Sequence, residues 1–458
     1  LAAIALAVPA YPQFVPGDEL APVVVVATRT PVDPRTLGSA VDQISASDLD
    51  RQQVATLAAA LGAVPGAPAF ANGAAGSDVS VFMRGADSDQ VLFLVDGIRL
   101  NDANTDYAVF LGGARLGATD SIEVARGPQS TLYGSEAVGG VVSIEAQKGA
   151  GAPSATASVE AGSFGTITGA LSAEGSRESW DWSVSTSGSH TFNERPNNSF
   201  ESGDLVLRLD RDLPGGVDVG ATLRGFEGRF GDPGDIYTND PYAHETEGNW
   251  LGTVFADFGA SPDWSARVTV GGQDRRYVSF DEDPGVFSST TTVRNRRGVV
   301  DSQASFGGFD GQRITAGLSA EDETTADDGY GAIDRRQTLL AAFAEDEWHP
   351  LAPVYLTLGA RYDDFDTFGS SVTGRATAAW LVANRSVKLR SSYGTGFNAP
   401  SFLELYGVAT GYVGNPSLRP ERSRGGDAGV DWYIPGNAGT LSATWFRNDY
   451  RDLIVYDF

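Results

Sequence analysis

The run EVARGPQSTLYGSEAVGGVVSIEA, residues 123–146, gathers four glycines, a proline, an arginine and a tyrosine between two apolar segments. Such glycines could form a phosphate cradle, in which backbone amides and a lysine meet the phosphates where Gly-Lys-Ser/Thr opens a helix. No Gly-Lys pair occurs, and the only lysines are Lys148 and Lys388. Gly139 and Gly140 lead instead into Val141, Val142, Ser143 and Ile144, a β-branched run that forms strand. The element is strand, turn, strand, and it binds no phosphate. Other catalytic patterns are equally absent. His190, His244 and His349 stand far apart, and neither His-Glu-x-x-His nor Gly-x-Ser-x-Gly is present. Carboxylate pairs identify nothing in a chain with 59 acidic residues, so an enzyme is not expected. A net charge of −26 argues against a nucleic-acid partner, whose phosphates require a basic face, and is compatible with divalent cations. Without cysteine there is neither a disulfide framework nor a thiolate metal site.

The elements that must position any site fall into two regions. Residues 20–150 read as mixed α/β. In SASDLDRQQVATLAAALGAVPG, Ser47 is the expected N-cap with Asp50 three residues on; Leu49, Val54, Leu57, Ala58 and Leu61 share a face, and Gly62 stops one short helix. Strand-like pieces follow at 78–85 and 90–100, where Asp96-Gly97 is a hairpin signal, and around the opening run. From about residue 153 apolar and polar residues alternate strictly. Trp264, Ala266, Val268 and Val270 oppose Asp263, Ser265, Arg267 and Thr269; Leu205, Leu207 and Leu209 oppose Asp204, Arg208 and Asp210. Val354, Leu356, Leu358, Ala360 and Tyr362 continue the pattern, giving roughly sixteen candidate strands.

Short turns at 213–216, 261–264, 309–312, 349–353 and 434–439 alternate with long, mostly acidic loops expected at 230–249, 281–289, 321–336 and 398–423. That sorting by length is the signature of an outer-membrane barrel, and a polar inner face implies a wide lumen holding water or a plug. No stretch of about 18 uninterrupted apolar residues occurs, so the chain encodes no transmembrane helix. A closed barrel is the other structure that satisfies every backbone group in lipid. The opening LAAIALAVPA reads as a residual secretory signal, residues 1–10.

Several ordered motifs carry a family resemblance. PVVVVATRTP (22–31), VFMRGADSDQVLFLVDGIRLND (81–102) and IEVARGPQSTLYGSEAVGGVVSI (122–144) resemble the TonB box and plug of TonB-dependent outer-membrane transporters. SSYGTGFNAPSFLELYG (391–407), GNPSLRPERS (414–423) and WFRNDYRDLIVYD (445–457) resemble barrel segments of the same proteins, most closely the vitamin B12 (cobalamin) receptors. The resemblance implies an N-terminal segment with the TonB box at 11–31, a plug at 32–150 and a transmembrane β-barrel at 151–458. Relatives close with about 22 strands, so a chain cut at both ends is expected.

By the same resemblance Pro22, Val23, Val24, Val25, Val26, Ala27 and Thr28 form the TonB box, an extended run able to add as a strand to TonB, which works with ExbB and ExbD. Arg84 and Arg126 are expected to offer planar forks to barrel carboxylates. Asn101, Asp102, Asn104 and Tyr107, after the Asp96-Gly97 hairpin, are candidates to hydrogen-bond a large polar ligand. Asp232, Asp235 and Asp240 could offer oxygen ligands to calcium and order a long loop. The implied function is TonB-dependent uptake of cobalamin or a related corrinoid across the bacterial outer membrane. The alternative is ferric siderophore uptake, and the rival from another class is a passive porin.

Overall fold

The computed structural model describes residues 24–105, 114–118, 120–235, 237, 239–261, 263–283, 287–351, 353–436 and 439–456. Its first helix begins two residues earlier than the sequence suggests. Ser45 is the N-cap: its hydroxyl accepts from the Asp48 amide, and Asp48 reaches back to the Ser45 amide. The helix Ala46–Gln52 ends at Gln53, whose φ of 56° is left-handed, and a second helix, Leu57–Gly62, starts after a Thr56 cap. One expected helix is therefore two, because Val54 and Thr56 fall where the chain reverses.

These helices cover one face of a five-stranded sheet in the order Ala40–Ile44, Asp120–Arg126, Gly140–Ala146, Val91–Val95, Ile98–Arg99. Val91–Val95 lies parallel to Gly140–Ala146, and the other pairs are antiparallel. Asp96 and Gly97 take φ values of 49° and 84°, the left-handed pair that a two-residue hairpin needs. Phe93, Val95, Ile122, Val124, Val142 and Ile144 pack with Leu49, Leu57 and Leu61 on the helical side. Leu92, Leu94, Ala125 and Val141 pack on the other side against Val24, Val26 and Ala27. The sheet is buried on both faces, which explains why Val91–Val95 is apolar throughout rather than alternating. The Gly139-Gly140 pair answers a packing demand. A Cβ at Gly140 would collide with the Met83 sulfur and the Ala125 carbonyl, and one at Gly139 would lie 2.6 Å from the Ala86 Cβ.

Around this plug runs a fifteen-stranded antiparallel sheet in strict chain order, from Ser154–Ala161 to Gly439–Arg451. Connections at 178–179, 214–216 and 310–311 lie at one end; those at 192–199, 232–243 and 399–420 lie at the other. Two loops expected to be long are short. Strands run to Asp327 and resume at Ile333, and run to Asp283 and resume at Phe287. The acidic residues of 321–327 belong to a strand because Glu321, Glu323 and Asp327, with Thr325 between them on the same face, turn inward and are buried.

Burial in this sheet is the reverse of a soluble protein's. Charged side chains such as Arg224, Arg297, Glu345, Asp363 and Arg375 are buried toward the plug, whereas Val254, Leu318 and Leu358 are about 60% exposed on the outer face (61%, 64% and 59%). Trp264 opposite Phe306, Trp348, Trp380 and Trp432 form an exposed aromatic row close to the short turns. An apolar outer band bounded by aromatics is what a bilayer requires of a barrel.

Candidate functional site

Where plug meets barrel many of the contacts are ionic. Arg84, with φ of 54°, places its guanidinium 2.5 Å from Asp427. From the opposite direction Arg224 of the barrel forks onto two plug carboxylates, Asp96 at 2.6 Å and Asp120 at 2.8 Å. Burial alone would raise the Asp96 carboxyl, but Arg224 and the Ala146 amide outweigh it and hold the group below its ordinary value. Arg275 joins Asp102 to Glu247, and Arg297 bonds the carbonyls of Arg99 and Asn101 while pairing with Glu321 and Glu323. Arg361 donates to the Leu132 carbonyl, and Arg375 to Gln129 and the Ala27 carbonyl. Buried pairs of this kind add little net stability, because desolvation offsets their attraction, but each fixes one geometry. The seam is therefore specific without being a dry core.

The N-terminal segment is locked into this seam. Val24 bridges Val32, and the amides of Val25 and Val26 both donate to Glu123 Oε2, at 2.9 and 2.8 Å. Burial pushes the Glu123 carboxyl up despite those two amides. Tyr133 donates to the Val26 carbonyl, Arg29 pairs with Asp301 at 3.2 Å, and Thr30 donates to Glu347. Residues 26–28 form a turn rather than an extended strand, and Val24, Val26, Ala27 and Thr28 are buried. Pro22 and Val23 lie outside the described residues.

Of the two plug arginines singled out from sequence, Arg84 reaches the barrel and Arg126 does not. Arg126 pairs with Asp42 at 2.5 Å and donates to the Pro65 carbonyl, both within the plug, because its strand lies beside Ala40–Ile44. The ligand candidates are also turned inward. Asn101 accepts from the Phe93 amide and donates to the Val91 carbonyl; Asp102 takes Arg275, Asn295 and the Asn104 amide; Asn104 donates to Asp327. All three are buried, serving as hairpin support and plug latches in this conformation. Tyr107 lies outside the described residues.

The loop aspartates do not converge. Asp232 accepts from the Gly234 amide, Asp235 from Tyr237, and Asp240 from Tyr242 and Ala243, three separate local turns. Arg195 and Asn197 hold the loop through its carbonyls instead. Among the described residues no group of three or more His, Cys, Asp or Glu side chains is placed to hold a metal ion. The residues that sequence reasoning missed are the barrel partners Arg224, Arg275, Arg375 and Asp427. Alternation assigns a residue to a face of a strand but cannot name what it touches, so nothing in the sequence singled these four out.

Beside the N-terminal segment, at the short-turn end, a cavity of about 670 Å³ separates the plug from the wall, lined by Val25, Arg29, Asp96, Glu145, Thr222 and Thr269 among others.

Comparison with known proteins accords with this architecture. Residues 33–141 match the TonB-dependent receptor plug domain, and residues 152–458 match the TonB dependent receptor-like β-barrel. Similar solved structures include the siderophore receptor PirA from Acinetobacter baumannii, at 18% identity and TM-score 0.73, covering 90% of this chain and 71% of that one. The alcaligin outer-membrane receptor FauA from Bordetella pertussis matches at 16% identity and TM-score 0.74, with 93% and 73% covered. A mutant of the ferric enterobactin receptor PfeA from Pseudomonas aeruginosa matches at 17% and 0.73, with 94% and 73% covered. At these identities the likeness is one of fold. Family match, plug and inverted barrel together establish that the chain belongs to the TonB-dependent receptors of the outer membrane.

Proposed function

We propose that this receptor imports a ferric siderophore by active transport. The observation that carries the transport reading is the occupied lumen: a plug is latched by buried ion pairs to several strands of the sheet around it, an arrangement a passive porin does not need. Moving the plug would leave charges buried in the seam without their partners, which costs free energy even though each intact pair adds little, so an external source of work is required. The segment 22–28 is the handle for that work. TonB, powered through ExbB and ExbD, takes it as an added strand once it leaves the contacts with Glu123 and Arg375. For the cargo, the similar solved receptors named above bind siderophores by their own descriptions, which supports a ferric siderophore over the cobalamin expected from sequence motifs.

The test is tryptophan-fluorescence titration of the purified receptor with ferric hydroxamate, ferric catecholate and cyanocobalamin, followed by uptake of the labelled ligand with and without a proton uncoupler. Saturable binding of one ferric complex and uptake that stops with the uncoupler are expected. Binding of cyanocobalamin, or of no ferric complex, overturns the substrate; uptake that persists without the proton gradient overturns energised transport.

A further inference from the structure

The plug sits unevenly in its barrel. Against the strands Val354–Phe365 and Val387–Asn398 it leaves no spare room: a Cβ at Gly359, Gly394 or Gly396 would press on Thr131, Pro128 or Ser130 at 3.0, 3.2 and 2.9 Å. The wall formed by Val217–Gly231, His244–Ser261 and Trp264–Asp283 meets the plug as closely at Gly271, where a Cβ would lie 2.9 Å from Ile98, but toward its short turns it stands off and leaves the cavity of about 670 Å³. Gly216 and Gly259, beside two short turns, line it, so it sits at the inner mouth of the barrel.

One row of inward side chains leads outward from that chamber. Thr222 lines it, and Arg224, the next inward residue on the same strand, closes it by gripping Asp96 and Asp120. Farther out, Phe230 stacks on Phe200 at 5.2 Å, and Gly76 of the plug lies so close that a Cβ there would strike both rings. The chamber's other side is the N-terminal segment itself, through Val25, Val26 and Arg29–Pro31. Withdrawing that segment removes a wall.

We propose that cargo leaves along this wall, with the cavity as its exit chamber and the Arg224 fork as the gate above it; this rests on the transport reading. The charges in the chamber are mostly matched already: Arg29 with Asp301, Arg267 with Asp257, and Lys148 with Asp212 and Asp218. Glu145 alone among these lining carboxylates makes no direct pair. A surface of matched charges offers hydrogen bonds to a large polar solute without holding it tightly, as a path needs.

The experiment compares three variants of the receptor in cells and planar bilayers. Arg224→Gln weakens the gate, Arg361→Gln weakens a plug contact on the tight wall, and Thr269→Trp fills the chamber. Arg224→Gln is expected to raise the energy-independent leak of a small polar solute by about tenfold or more, because it leaves Asp96 and Asp120 without their charged partner. Arg361→Gln leaves the leak near the parent's, and Thr269→Trp slows energised uptake several-fold with unchanged ligand affinity. Equal leaks in both arginine variants, or parental uptake by Thr269→Trp, overturn the proposal. The leak needs no cargo, so a receptor that transports no tested ligand refutes the function above while the leak comparison still decides the gate.

Discussion

Arg84 of the plug and Asp427 of the barrel meet at 2.5 Å with side-chain exposures of 5% and 0%, 343 residues apart in sequence. Asp427 also accepts from Ser392 and lies 3.5 Å from Arg390, so Arg84 is one of several groups gathered on this buried carboxylate. Removing Arg84 leaves it undercompensated. Arg84→Met is expected to destabilise the seated plug by roughly 3–5 kcal/mol, and Arg84→Met with Asp427→Leu by distinctly less. Guanidinium unfolding followed by plug-specific proteolysis measures both, and equal losses in the single and double variants would show that the pair is not coupled.

Glu123 offers one oxygen to two amides, those of Val25 and Val26. Glu123→Ala deletes the acceptor of both amides at once, whereas Glu123→Gln keeps a carbonyl oxygen. Hydrogen exchange at the Val25 and Val26 amides is therefore expected to quicken about tenfold in the alanine variant and less in the glutamine variant, with each lost bond worth about 1 kcal/mol. Unchanged exchange in Glu123→Ala would mean that the sheet packing of Val24 and Val26 holds the segment unaided.

Asp89 supplies a pH dependence. Burial, then the charges of Glu421 and Asp87, push its carboxyl from 3.8 up to about 7. The folded plug thus keeps a proton that the unfolded chain releases near 3.8. The stabilising contribution is complete below about 3.8 and is lost as pH rises through about 7. Plug stability should fall across that window, and Asp89→Asn, which cannot ionise, should flatten the fall. A parent and variant with parallel profiles would assign the slope to other groups.

What could be read from sequence follows the range of the forces involved. The Asp96-Gly97 hairpin and the alternation around Leu205, Val268 and Leu358 are local, so residue type alone revealed them. The Ser45 cap was missed because Ser45 and Ser47 both stand before an aspartate three residues on, and only the structure shows which amide is reached. Glu321 and Glu323 read as loop because acidic residues usually seek water; the buried Arg297, more than twenty residues away, supplies what water would have given. Asn101, Asp102 and Asn104 are polar residues after a turn, which looks the same whether they await a ligand or clasp Arg275 and Asp327. Long-range pairing decides such cases, and periodicity carries no information about it.

Leu318 tests whether the apolar outer face truly meets lipid. It lies inside the strand Gln312–Asp327 with 64% of its surface exposed, flanked by lumen-facing neighbours on the same strand. On a water-exposed surface an arginine there would change stability by about 0.5 kcal/mol or less. In a bilayer the same guanidinium must be desolvated or pull water inward, at a cost of roughly 2–4 kcal/mol near the midplane. Leu318→Arg is therefore expected to impair folding into phospholipid vesicles by that larger amount. Leu318→Ala should cost less, because it removes apolar contact without introducing charge. Heat-modifiable electrophoretic mobility after folding into vesicles reports the folded fraction, and a near-neutral arginine variant would place this face outside the membrane.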